Sequence, residues 1–495
     1  MFTTTGRAGG ISYRAGVGYE QAHTFGRLIE GTDQTWRLGV SDPNLALQTL
    51  RADIELRARL SRNVLLQGGL LASRNDFWFS AIGPLRRFYT DLDFVQPCVQ
   101  LTVGGFVARV FSNHVRADSG EILQRVGGIS LDNRLYQNVI DAELRYGRTF
   151  RAGTIPIGLT VGANYRMKHI SWSFLDADHV LHHVAAYAQA QATFASWLSS
   201  TVSFRVDRHP VLDLPVFSPR LAVILKPSER RALRLSAGTS FRTPTMLELY
   251  LDLANPTPTP GVVVTGRGGE VRCPSALDHC LSAEGAISVD VGFLDQTWES
   301  VQYEVHGFFT RGTSLIELGN VAFEALPGMN NPNGPLDVGA FRFANDPTAT
   351  SMFGAEMGAR VAPLDGLDLY ANYTFAYTLQ ESGSLRVGDQ RTPQHKFNVG
   401  VQYRSRFGLD ASLDGHFVSG TVWREQDFDP ARGVVYETFP LDSYFLLNGR
   451  VGYRFLNDRV ELGVVGTNLT DNRRRQHPFG APMGARVMGV ATIRF

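Results

Sequence analysis

Between residues 176 and 183 the chain reads "DADHVLHH", which gathers Asp176, Asp178, His179, His182 and His183 into one short stretch. Carboxylates and imidazoles together suit transition metals, so capture of a metal or of a haem-like chelate is one chemistry open to it. The competing reading is a solvated loop entering a strand, where His182 and His183 point to opposite faces. A second candidate is "CPSALDHC", in which Cys273 and Cys280 bracket a loop-like stretch. In an oxidising compartment these two would join in a local disulfide. A zinc site that also used His279 would lack a fourth ligand, so no metal site is expected there. Enzymatic signatures are missing. The chain has no G-x-S-x-G, no H-E-x-x-H and no phosphate-cradling glycine loop, so neither an enzyme nor a bound cofactor is expected.

Composition narrows the remaining classes. The chain has 495 residues and a net charge of +1, which gives no electrostatic case for nucleic acid. Hydrophobic residues make up 43% but are dispersed, and "RLAVILK" is about the longest cluster. No run approaches the ~18 apolar residues that a membrane helix needs. Strands that span a membrane hide their apolar residues by alternation, so this does not exclude a membrane protein.

The elements that would position these residues follow a period of two. In "RADIELRARL", residues 51–60, Arg51, Asp53, Glu55, Arg57 and Arg59 alternate with Ala52, Ile54, Leu56, Ala58 and Leu60. On a helix those apolar side chains would scatter around the circumference, whereas on a strand they form one face. "IDAELRY" (140–146), "AYAQAQATF" (186–194), "LYANYTFAYT" (369–378) and "LNGRVGYRF" (447–455) repeat the pattern. Many such runs alternate for ten or more residues, about the length that crosses a bilayer at a tilt. Connections alternate between short and long. Short ones include "LSRN" near 61, "FASW" near 195, "KPSERR" near 227, "APLDG" near 363, "RSRF" near 405 and "LNDR" near 457. Long ones cover about 112–134, 243–284, 312–350, 381–394, 423–440 and 470–484, as in barrels with short periplasmic turns and long outer loops.

The pattern predicts an all-β chain, a transmembrane antiparallel β-barrel of roughly 20 strands over residues 10–495, after a disordered start at 1–9. Both termini are expected at the turn end. The last strand is expected to pair with the first, its odd-numbered residues facing lipid and Phe495 lying in an aromatic belt. Trp78, Trp172, Trp197, Trp298 and Trp423 fall at expected strand ends and suit interfacial girdles. Asp53, Glu55, Arg57, Glu143 and Arg145 would line a wet lumen.

Residues 218–250, "SPRLAVILKPSERRALRLSAGTSFRTPTMLELY", resemble the barrel of TonB-dependent outer-membrane receptors. The stretch is similar to that family's strand, tight turn, strand and F-R-x-P-x-x-x-E-L-Y signature, here Phe241, Arg242, Pro244, Glu248, Leu249 and Tyr250. "AAYAQAQATFASWLSSTVSFRVDRH", "RTPQHKFNVGVQY" and "GVVGTNLTDNRRR" resemble flanking and late elements, except that Thr470 stands where the family has Phe. The start of the chain resembles the family's third strand, in barrels of 22 strands. The resemblance implies Arg242, Glu248 and Tyr250 at a loop base beside the rim, and Phe495 as the signal read by the barrel-assembly machinery. Outer-membrane lipid is the implied surroundings. TonB would act only through a plug domain, and the sequence offers no candidate for a plug, a TonB box or a signal peptide. The expectation is therefore an N-terminally truncated receptor barrel for a scarce, bulky nutrient such as a siderophore, a cobalamin-like compound or an oligosaccharide. The alternative is a plugless porin-like pore or a surface-binding barrel.

Overall fold

The computed structural model describes residues 2–23, 45–79, 88–121, 133–212, 214–256, 262–269, 281–319, 336–382, 385–429, 433–478 and 482–494. Cys273, Cys280 and Phe495 lie outside the described residues. Neighbouring strands of the large sheet run antiparallel. The large sheet opens with β1 (Phe2–Ala8), β2 (Ile11–His23), β3 (Leu45–Ser61), β4 (Val64–Phe79), β5 (Phe88–Val103) and β6 (Phe106–Glu121). It continues through β7 (Asn133–Ala152), β8 (Ile155–Trp172), β9 (His179–Ala195), β10 (Leu198–Arg208), β11 (Val216–Ser228) and β12 (Arg231–Arg242). A short helix, α1 (Met246–Tyr250), then leads into β13 (Asp252–Pro256) and β14 (Val262–Arg267) of a separate sheet. The large sheet resumes with β15 (Glu284–Trp298) and β16 (Val301–Thr313). β17 (Ile316–Leu318) and β18 (Leu336–Asn345) complete the separate four-stranded sheet. Next in the large sheet come β19 (Ala349–Leu364), β20 (Leu367–Ser382), β21 (Leu385–Asp389), β22 (His395–Arg404) and β23 (Leu409–Val418). β24 (Thr421–Asp429) and β25 (Gly433–Leu441) form a hairpin of their own, and β26 (Tyr444–Phe455), β27 (Val460–Thr467) and β28 (Arg486–Ile493) end the large sheet.

Register carries each face unbroken from strand to strand. Leu144 of β7 pairs with Ala108 of β6 and Ala163 of β8, while its neighbour Glu143 pairs with Arg109 and Asn164 on the same two strands. The apolar face lies open: Leu56 is 48% exposed, Leu144 55% and Val451 57%. A protein in water would bury such a face, so the solvent on this side is hydrocarbon. The opposite face carries ion pairs such as Arg166–Asp141 at 2.7 Å, Arg109–Glu143 at 3.3 Å and Arg454–Asp410 at 2.9 Å. Tyr187 joins them by donating its hydroxyl to Glu143 across 2.6 Å, its ring lying over Gly162, where any Cβ would collide with it. Among the described residues no helix is long and apolar enough to cross a membrane; strands make the crossing.

Turn chemistry accounts for the short end. Gly9, Gly104, Gly153, Gly366 and Gly408 have positive φ in five of these turns. At Gly366 (φ 81°) an added Cβ would also lie 2.2 Å from the Arg404 carbonyl oxygen. Trp197 and Trp298 stand exposed at this end, as a girdle requires.

Three expectations are corrected. Residues 2–8, expected to be disordered, form β1 and pair along their length with Ile11–Val17, because the Gly9–Gly10 turn folds them back on β2. The second correction concerns closure. The 22 strands of the sheet occupy 21 positions, since β21 and β22 lie one beyond the other along β20. In an antiparallel order an odd count leaves the two edges pointing the same way. Both β1 and β28 run toward the turn end, so the two termini are not equivalent, and among the described residues no ladder joins these strands. An antiparallel seal between them takes one further strand running the other way. Third, Trp172 is no lipid anchor: it stacks on Phe174 at 5.1 Å against the buried cluster at the loop end. The lipid-facing assignment of the last strand does hold. Val487, Gly489, Ala491 and Ile493 pair with Gly466, Val464, Leu462 and Val460 on the apolar face.

Candidate functional site

The described interior hydrophobic clusters lie at the loop end, where the long connections fold on one another. Phe174, Leu251, Leu253, Val264 and Phe341 form one buried cluster. Leu175, Leu181, Met246, Leu249, Leu281 and Ile170 form another beside it. Together they join the β8–β9 connection, α1 and the separate sheet into a packed cap over the wall.

Arg242 fastens this cap to the barrel. As the last residue of β12, its guanidinium donates from Nη1 and Nη2 to the Glu248 carboxylate, both at 2.9 Å. It also donates from Nε and Nη2 to Glu284 at the start of β15, at 2.6 and 2.5 Å. Glu284 Oε1 further accepts the Ile316 N–H at 2.7 Å, which ties in β17 of the separate sheet. Glu248 doubles as the third helical residue of a capping box: its side chain accepts the Thr245 N–H at 2.6 Å while Thr245 Oγ1 accepts the Glu248 N–H at 3.2 Å. Pro244 is buried, Leu249 is in the core, and Phe241 pairs with Gly285 on the lipid-facing side. The F-R-x-P-x-x-x-E-L-Y stretch is thus a single mechanical unit, and its charged pair is consumed within it.

The "DADHVLHH" residues do not converge. Asp176 accepts from His179 Nε2 at 2.6 Å, and the His179 ring stacks on Tyr250 with centroids 3.5 Å apart, so this pair braces the cap. Asp178 is exposed just before β9. His182 lies on the outer face, where its Nδ1 is 2.8 Å from the Tyr165 hydroxyl. His183 lies on the lumen face, paired in register with Arg166. Among the described residues no group of three or more metal-ligating side chains forms a site.

The residue that sequence reasoning missed is His209, just beyond β10. It is 2% exposed, and its ring meets that of His183 edge-to-face at 4.2 Å. Nothing local marks it, because the two are brought together by the β9–β10 register. Burial, and then the nearby Lys168 ammonium, push the His209 imidazole down to about 4. The sign follows directly. Above pH 6.5 folded and open forms are both neutral there; below it the open form takes a proton that the buried ring refuses. Closure at His209 is therefore expected to weaken by about 3 kcal/mol between pH 6.5 and 4. Amide exchange at Val211 and Leu212, corrected for intrinsic rate, should accelerate over that window and stay flat in His209→Gln.

Residues 3–469 match the family described as TonB dependent receptor-like, beta-barrel. Among solved structures, the siderophore receptor PirA of Acinetobacter baumannii is similar at a TM-score of 0.72 and 13% identity, over 97% of this chain and 75% of that one. The ferric enterobactin receptor PfeA of Pseudomonas aeruginosa, as a mutant in complex with enterobactin, gives 0.71 and 14%, over 99% and 77%. The FrpB iron transporter of Neisseria meningitidis gives 0.69 and 12%, over 99% and 78%. At these identities the likeness is one of fold.

Proposed function

This chain belongs to the TonB-dependent receptor β-barrel family, a family of outer-membrane proteins, and on that premise we propose that it forms the passage of a receptor that imports a metal-chelate nutrient of the siderophore class. The observation that carries this reading is the combination of a charged, wet inner wall with a packed cap fastened over its outer end by Arg242, Glu248 and Glu284. A simple diffusion pore has no need of such a cap. The solved neighbours named above, receptors for siderophores and transporters of iron, favour the metal-chelate class over cobalamin-like compounds or oligosaccharides. In this scheme the outer loops and the upper wall capture the chelate, and movement driven by TonB, acting on a plug, opens the way through the lumen. Insertion would proceed through the barrel-assembly machinery, with Phe495 in its signal.

Ferric siderophores of several classes, titrated against the detergent-purified protein, test the reading through quenching of tryptophan fluorescence. Saturable quenching by one class, absent with the iron-free compound, is the expected result. A large, constant conductance in planar bilayers with no binding of any chelate would instead support a passive pore.

A further inference from the structure

Three nitrogen-bearing side chains on the lumen face at the loop end have no acidic partner among the described residues. His183 Nε2 and His209 Nε2 are both buried and neither makes a hydrogen bond. Lys168, two residues beyond Arg166 on β8 and on the same face, is half-buried beside them. The carboxylates nearby are already engaged. Asp141 accepts from Arg166 Nε at 2.7 Å and from Asn164 Nδ2 at 2.9 Å. Asp207 accepts both from Arg205 Nε and from its Nη2, at 2.8 and 2.7 Å. The tautomer of His209 is fixed as well: its Nδ1 accepts the Val211 N–H at 3.3 Å, so the proton sits on Nε2 as an unmet donor.

The unmet Nε2–H donor of His209, a second unpaired ring nitrogen on His183 and an ammonium with no acidic partner together call for an acceptor. A transition-metal cation fits poorly, because Lys168 repels it and the His209 Nε2 lone pair is occupied by a proton. A water molecule could meet the two rings but would not neutralise Lys168. We propose that Lys168, His183 and His209 form an oxyanion pocket between the lumen wall and the cap, which takes a carboxylate or phosphate group. The pocket deepens the receptor reading, on which its biological meaning rests: it is where an acidic arm of an incoming ligand would be held.

Calorimetric titration of the purified barrel in detergent with inorganic phosphate, and separately with citrate, tests the proposal. Saturable binding of either anion is expected, weakened about tenfold in Lys168→Met and severalfold in His209→Gln. Phosphate alone would assign the phosphate class, citrate alone the carboxylate class. Retention of the heat-modifiable band on gels verifies that the variants fold, and Lys168→Met keeps most of the side chain's length without its charge. No binding of either anion, binding unaffected by Lys168→Met, or binding only of Ni²⁺ or Zn²⁺ would overturn the pocket. Anion binding without chelate uptake in cells would spare the pocket and sink the transport reading; uptake without anion binding would do the reverse.

Discussion

Arg242→Ala is expected to release the cap while leaving the barrel standing. The substitution leaves Glu248 and Glu284, both largely buried, facing each other without the cation that holds them. Breaking a fully buried pair costs ~3–5 kcal/mol; here water reaches the outer side of the guanidinium, which is 41% exposed, so about 2–3 kcal/mol is expected. Because the cost falls on the cap, it should appear as local opening. Hydrogen exchange should rise about 30-fold or more across 244–253 and 262–268, with the strands β7 to β9 unchanged. Arg242→Lys should recover only part of the loss, since one ammonium cannot serve two carboxylates in fork geometry. Chelate binding should fall along with the cap. Unchanged exchange in Arg242→Ala would mean that the apolar clusters hold the cap alone.

A second large effect is expected at the wall. Leu144 and Arg145 are adjacent in β7, yet they meet different solvents. Leu144→Arg places a charge near the middle of the hydrocarbon and should destabilise the folded barrel by ~2–4 kcal/mol. Arg145→Leu, on the wet face, should change stability by no more than about 0.5 kcal/mol. Urea titrations in phospholipid vesicles, followed by gel mobility, give both values. Equal costs at the two positions would contradict the assignment of faces.

Much of the wall was legible because period two is a local property. "IDAELRY" shows its two faces in seven letters, and the short turns show themselves by Gly, Asn, Asp and Ser. The same rule also foretold that His182 and His183 would part company. What failed was whatever depends on position within the whole sheet. β1 is a short stretch, "FTTTGRA", with three threonines and no apolar alternation, and only its pairing with β2 marks it as a strand. Missing it changed the parity of the count, and with it the direction of one edge. The place of Trp172 at a strand end suggests a girdle residue, but its spacing of six from Arg166 puts it on the lumen face. The Arg242–Glu248 pair can be read from the family motif, but Glu284 comes from a different hairpin. His209 could not be found at all by motif, since its environment is made by β8, β9 and β10 together.

The central claim is that alternate residues of each strand meet hydrocarbon and water. Nitroxide labels placed one at a time at residues 140 to 146, in protein reconstituted into lipid vesicles, measure this directly. At Ile140, Ala142, Leu144 and Tyr146 the label should relax with oxygen, which concentrates in the bilayer. At Asp141, Glu143 and Arg145 it should relax with a water-soluble nickel chelate, giving two opposed profiles of period two. A single profile shared by all seven positions, or one repeating every three to four residues, would contradict the account.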